Sequence, residues 1–369
     1  MTPEFQKALN LNKARVVCLI AIIAAVIGLN SVLLAKIANK IPGKARPKSK
    51  VRRLQRFFDE LILDFKKVAL LVLSIAKINP KEPMVLALDR TNWDRRENEI
   101  NILTLSVCTG DTAIPLLCKD LRCKGNSNTD ERAGIIGQFI SFFGVPQVKC
   151  LVCDREFVGK DWFKWLQKRN IPFVCRLRSN FVVETNGKKQ YIKDFFHQLS
   201  NGEFLNLGVY LVCGVKLHVC GLKTKKGDLM ILGSHGTSGE DAANMYLKRW
   251  NIETGFSQLK TRGFRLEDTR LCGDGKMDLL FALLAISLAW CYSCGTMTEN
   301  VVPIKLLKHG RKEQSVFRRG LDALCACLQG NGCFWSRLFR RMVAVFADAL
   351  SFVASVFPAC RLKSSFSRR

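Results

Sequence analysis

The chain has 369 residues, enough for at least one large core and for two or three structural units. Its formal net charge is +27, from 58 Lys+Arg against 31 Asp+Glu, an excess that bears on partners rather than on fold and points to polyanions. Sixteen cysteines suggest a disulfide framework, but Cys108, Cys118, Cys153, Cys175, Cys213 and Cys220 lie in apolar runs, where a free thiol acts as a small hydrophobe. The pairs Cys150/Cys153 and Cys291/Cys294 have C-x2-C spacing, yet no histidine pair accompanies either, which argues against structural zinc. Reduced thiols in a cytoplasmic protein are the expectation.

Residues 1–80 read as helical. Val16 to Leu29 is an unbroken apolar run of 14, interrupted by Asn30 and Ser31. A bilayer span needs about 20 apolar residues, so a buried helix is expected here and no membrane partner. From Lys36 to Arg56 there are nine Lys or Arg and no acid. The stretch KARPKSK reads as a linker, and 51–77 as a second helix in which Leu54, Phe57, Phe58, Leu61 and Phe65 recur at helical spacing. Asn79-Pro80 closes the segment.

From Met84 the pattern changes to short apolar runs between turn residues. MVLALD, NILTLSVCT and AIPLLCKDL read as three strands, the last two joined at Gly110-Asp111. Asp130 to Phe143 reads as a helix capped by Thr129 and ended by Gly144 and Pro146. VKCLVCD is a strand, DWFKWLQKRN a helix and PFVCRLR a further strand. This order predicts an α/β domain with a mixed sheet and flanking helices, and it is the strand–helix order of a ribonuclease-H-like domain. Residues 181–235 are β-rich and divided by Gly, Asn and Lys turns, so they read as an insertion. An apolar helix over Leu279–Ser293 and an amphipathic one near Phe334–Val356 follow. Thirteen basic residues against three acidic ones from Lys305 to Arg369 make the C-terminal segment a second basic flank.

Two acids follow apolar strands directly: Asp89 ends MVLALD and Asp154 ends VKCLVCD. A carboxylate at the end of a buried strand is a rigidly placed ligand, and open sheets build sites at strand ends. A third candidate comes from YLKRWNIETGFSQLK, which reads as one helix begun by Ser238. It sets Tyr246, Arg249, Glu253 and Lys260 at the spacing Y-x2-R-x3-E-x6-K, within an arc of roughly 60° at about 100° per residue. Three carboxylates suit paired Mg²⁺ ions, which take oxygen ligands and stabilise the attacking and leaving oxygens of a phosphodiester transfer together. The chain has only four histidines, which argues against a His-based nuclease, and it carries no G-x4-G-K-[ST] loop for an ATP-driven mechanism.

Asp89, Asp154 and Glu253 in this order, with the Tyr-Arg-Glu-Lys signature around the glutamate, resemble the bacterial insertion-sequence DDE transposases of insertion sequence family four. LDRTNW and VCDREFVG resemble that family's blocks around its first and second aspartates. The resemblance covers about residues 80–290. It implies a ribonuclease-H-like catalytic domain over 81–180 and 236–300, interrupted by the β insertion 181–235. A helical N-terminal DNA-binding domain (1–80) and a basic helical segment (301–369) would complete the chain. Asp89, Asp154 and Glu253 would be catalytic and hold two Mg²⁺ ions, with Mn²⁺ able to substitute. Tyr246, Arg249 and Lys260 would contact DNA. The implied reaction is cleavage at terminal inverted repeats and joining of 3′-OH ends to target DNA, in a homodimeric synaptic complex on double-stranded DNA in the nucleoid. The alternative is an inactive DNA-binding relative with the same fold and charge.

Overall fold

The computed structural model describes residues 2–95, 98–185, 188–308, 310–328 and 333–357. Packing separates two compact units, Met1–Asn79 with Leu259–Arg369, and Pro80–Gln258.

The first unit is helical. It begins with α1 (Thr2–Leu9), α2 (Lys13–Leu29), α3 (Leu34–Lys40), α4 (Pro47–Glu60) and α5 (Phe65–Ile75). The Asn12 side chain caps α2 by accepting from Arg15 N at 2.9 Å. Asn30 ends the helix at φ 50°, a left-handed conformation that asparagine tolerates. The apolar run 16–29 therefore lies within α2, and a separate helix, α3, begins at Leu34. Pro47 occupies the first turn of α4, where its missing N–H costs nothing, so the basic linker expected from KARPKSK is partly helix. The single helix expected over 51–77 also divides, because Asp64 caps α5 by accepting from Lys66 N and Lys67 N.

The second unit is an α/β sheet domain. In chain order it contains β1 (Met84–Arg95), β2 (Asn98–Thr109), β3 (Thr112–Asp120), α6 (Thr129–Phe143), β4 (Val148–Cys153), α7 (Lys160–Lys168) and β5 (Phe173–Arg176). Next come β6 (Val182–Thr185), β7 (Lys188–Tyr191), β8 (Phe204–Val212), β9 (Val215–Lys223), β10 (Leu229–His235), α8 (Gly239–Leu247) and α9 (Trp250–Leu259). Eight strands form one mixed sheet in the order β3-β2-β1-β4-β5-β10-β9-β8, with β4 and β5 parallel to β1 and the remaining pairs antiparallel. Within 181–235, β6 and β7 form a separate two-stranded sheet, whereas β8–β10 extend the main sheet past β5. The alternation of β1, β4 and β5 sorts the core. Val85, Ala87, Cys150, Val152 and Val174 face Ala242, Ala243, Tyr246 and Ile252 of α8 and α9. On the β5 side Phe163 of α7 stacks on Phe173 at 5.2 Å. Helix α6 is capped by Asn128 rather than Thr129, through a box in which Asn128 and Glu131 each bond the other's backbone N–H.

The chain then returns to the helical unit with α10 (Lys276–Val301), α11 (Val316–Leu328) and α12 (Cys333–Val356). Helix α10 is apolar on every face and touches α2, α4, α5 and α11. It is long and apolar enough to cross a membrane, and 89% of its apolar window is buried within the protein. Trp290 Nε1 donates to Met342 O of α12 at 3.0 Å, closing this core. This all-round burial groups 259–300 with the N-terminal helices, whereas the sequence reading joined 236–300 to the sheet. All the described cysteines are free thiols.

Candidate active site

The register of the central strands brings the two aspartates together. Leu88 of β1 pairs with Cys153 of β4, so the next residues, Asp89 and Asp154, stand side by side. Alternation from Ala87 and Val152 puts both on the sheet face covered by α8 and α9. Asp89 was expected at a strand end, but β1 runs on to Arg95 paired with β2, and Asp89 faces Thr104. What ends at Leu88 is the parallel pairing with β4.

Glu253 comes from α9, and here the expectation of one helix over 246–260 is corrected. The helix breaks at Lys248–Arg249, where Lys248 N, Arg249 N, Asn251 N and Ile252 N bond the carbonyls three residues back. Ser238 stands at the N-cap position of α8 but its side chain makes no capping bond. The β2–β3 hairpin anchors the break and α9. Cys108 Sγ lies 3.4 Å from Lys248 O, Asn251 Nδ2 donates to Gly110 O at 3.1 Å, and Thr112 Oγ1 donates to Gln258 Oε1 at 2.8 Å.

Arg249 sits in the break with only 6% of its side chain exposed. Its Nη1 is 3.3 Å from Asp89 Oδ2 and its Nη2 is 2.6 Å from Glu253 Oε1. Tyr246 donates from its hydroxyl to Asp154 Oδ1 at 3.4 Å, and its ring lies 5.8 Å from the Arg249 guanidinium. Five of the six predicted site residues thus meet in one place: Asp89, Asp154, Tyr246, Arg249 and Glu253. The sixth, Lys260, follows α9 in the helical unit and pairs with Glu267 at 2.8 Å. Two further acids of the sheet domain fall elsewhere, Asp161 in the first turn of α7 and Asp241 in that of α8.

Electrostatics follow from the burial. Desolvation pushes the Asp89 carboxyl up to about 7, against the Arg90 N–H and Arg249, while Glu156 and Asp154 add to the rise. Burial opposes the charge on Arg249, but Tyr246, Asp154, Glu253 and Asp89 together outweigh it and hold the guanidinium above its usual range. Burial also raises the Tyr246 phenol, so it remains a donor to Asp154. The thiols of Cys153 and Cys175 are raised by burial too and stay protonated.

One supporting layer was not read from the sequence. Arg90, next to Asp89, makes a fork–fork pair with Glu156 through Nε and Nη2, each at 2.8 Å. It also donates to Asn101 Oδ1, Gly125 O and Asn126 Oδ1, so every arm of the guanidinium is held. Arg132 of α6 donates to Ser127 and to Glu156 O and lies 5.0 Å from the Phe157 ring. The only sequence signal was the opposite charge of Arg90 and Glu156, each directly or nearly adjacent to a candidate aspartate.

The family described as Transposase DDE domain matches residues 80–290. The chain belongs to that family. This DDE transposase is also similar to a solved piggyBac transposase synaptic complex with hairpin DNA, at 12% identity and a TM-score of 0.41 over 93% of this chain and 76% of that one. Comparison with curated proteins finds no match. By donor type the transposase's three carboxylates suit a hard divalent cation. Their present arrangement does not, because among the described residues no three His, Cys, Asp or Glu side chains converge on one point. Arg249 spans two of the three instead.

Proposed function

We propose that this transposase cleaves DNA at the terminal inverted repeats of an insertion sequence and joins the freed 3′-OH ends to target DNA. In this reading it is a member of the family with the Tyr-Arg-Glu-Lys signature. The observation that carries it is the adjacency of Asp89 and Asp154 on one sheet face, with Glu253 tied to Asp89 through Arg249. Asp89, Asp154 and Glu253 would hold two Mg²⁺ ions, which when bound stabilise the attacking and leaving oxygens of the phosphodiester. The residues of the chain supply the rest. Asp89 and Asp154 are fixed by the strands, and Tyr246 orients Asp154 by donating to it. Arg249 and Lys260 would contact phosphates of the DNA.

The ribonuclease-H-like fold, the β insertion over 181–235, DNA binding by residues 1–80 and the basic flank 301–369 belong to the same reading. So do action on double-stranded DNA as a homodimer and residence in the cytoplasm on the nucleoid. The test is a nicking assay on a duplex carrying the element's terminal repeat, with and without Mg²⁺. Wild type should nick and join only with the ion, whereas Asp89→Ala, Asp154→Ala and Glu253→Ala should each lose strand cleavage and keep end binding. Cleavage at the wild-type rate in any one of the three removes that residue from the site. Binding without cleavage by wild type would instead mark an inactive relative.

A further inference from the structure

Arg249 lies between Asp89 and Glu253, two of the three candidate metal ligands. Its guanidinium reaches Asp89 Oδ2 at 3.3 Å and Glu253 Oε1 at 2.6 Å, and its Nε is buried without a hydrogen-bond partner among the described residues. The side chain is thus ion-paired but incompletely satisfied. It projects from a two-residue break between helices, held by three-residue turns and not by the interior of a helix.

We propose that Arg249 is an internal counter-ion that a divalent cation must displace, and that the phosphate backbone of DNA draws it away, so that metal loading follows DNA binding. The inference rests on the metal-dependent transferase reading of this same site. Its physical basis is that a buried carboxylate cannot be left uncompensated. Removing one partner of a buried pair costs several times what a surface pair is worth, so when Arg249 leaves, Asp89 must take up either another cation or a proton. The guanidinium also needs a new anion, and its planar fork matches two phosphate oxygens as well as it matches carboxylates. A metal ion and a guanidinium between Asp89 and Glu253 would repel each other strongly at this separation, so the two occupancies exclude one another. Without DNA the site stays closed by its own arginine, and three carboxylates do not scavenge metal or act on passing water.

Mn²⁺ binding to the full chain, read from the loss of the free-ion electron paramagnetic resonance signal, tests this without any turnover. In the absence of DNA, Arg249→Gln should bind Mn²⁺ about tenfold more tightly than wild type, or better, because the competing charge is gone. Arg249→Lys, whose ammonium offers a point charge and no fork, should fall between the two. A terminal-repeat duplex should tighten Mn²⁺ binding by wild type and change the Arg249→Gln value little, after subtracting the ions bound by the duplex with Asp154→Asn protein. Equal Mn²⁺ affinity in wild type and Arg249→Gln without DNA overturns the proposal. If Arg249→Gln does not fold, wild type decides alone: Mn²⁺ affinity unaltered by the duplex overturns it as well. Absence of site-bound Mn²⁺ in every protein, with and without DNA, is a different result, which removes the metal reading itself and the proposal with it.

Discussion

Asp89 is the residue on which the site turns, because it is both a candidate ligand and a buried acid. Its carboxyl titrates near 7 in the folded chain, mainly through burial, and near the ordinary carboxylate value when unfolded. Between these values the folded state holds the extra proton, so stability falls as pH rises from about 4 to about 7 and is level above. Asp89→Asn cannot ionise and should lose this component. Melting curves from pH 4.5 to 8 should show wild type losing ground to Asp89→Asn as pH rises, and parallel curves would place Asp89 in a solvated setting. The residue itself was legible in the sequence as the acid after an apolar run. Its strand was not, because the apolar run records where both faces of β1 are covered. Beyond Leu88 the strand continues beside β2 alone, with polar residues such as Asn92 exposed.

At the scale of the element, α9 decides whether Glu253 can serve the aspartates. Gly255 is a point of close backbone approach, for a Cβ there would collide with the carbonyl oxygen of Ala113 in β3. Gly255→Ala should therefore push α9 off the hairpin, destabilising the domain by about 1–3 kcal/mol as overpacked sites do. Because Glu253 moves with the helix, cleavage should fall by more than the loss of folded protein explains. A stable, fully active Gly255→Ala would mean that the helix docks elsewhere. The helical unit contains a similar crossing, in which a Cβ on Gly320 of α11 would strike the Cys291 carbonyl of α10. Gly320→Ala should lower the melting temperature and leave the sheet domain's spectrum intact, since the two contacts lie in different units. Helical spacing of Tyr246, Arg249 and Glu253 gave the helix, but not its break. No Gly or Pro marks Lys248–Arg249, and the interruption is fixed by Cys108, Gly110 and Thr112 of a distant hairpin.

Over the whole molecule, the dominant quantity is the net charge of +27. Binding to duplex DNA should weaken linearly in log–log form with salt, with a slope of about −0.9 per phosphate neutralised. Lys260→Ala should reduce the slope by about one unit if Lys260 exchanges its Glu267 partner for a phosphate. An unchanged slope in a titration from low to moderate salt would assign Lys260 to Glu267 alone.

Composition, periodicity and spacing determined the charge-driven partner class, the helical ends, the α/β centre and the six candidate residues. They could do so because burial on one face imposes a local period and because strands and helices are short-range structures. Tertiary structure decided what local patterns do not encode. It set β8–β10 onto the edge beyond β5, grouped α10 with the N-terminal helices, and tied Arg90 to Glu156 across 66 residues. Above all it turned Arg249 inward to Asp89, 160 residues away in the chain, where spacing had set it on a helix face and the family resemblance had implied a DNA contact. Sequence spacing fixes which residues share a face, whereas the contacts made by that face depend on register and packing between segments far apart in the chain.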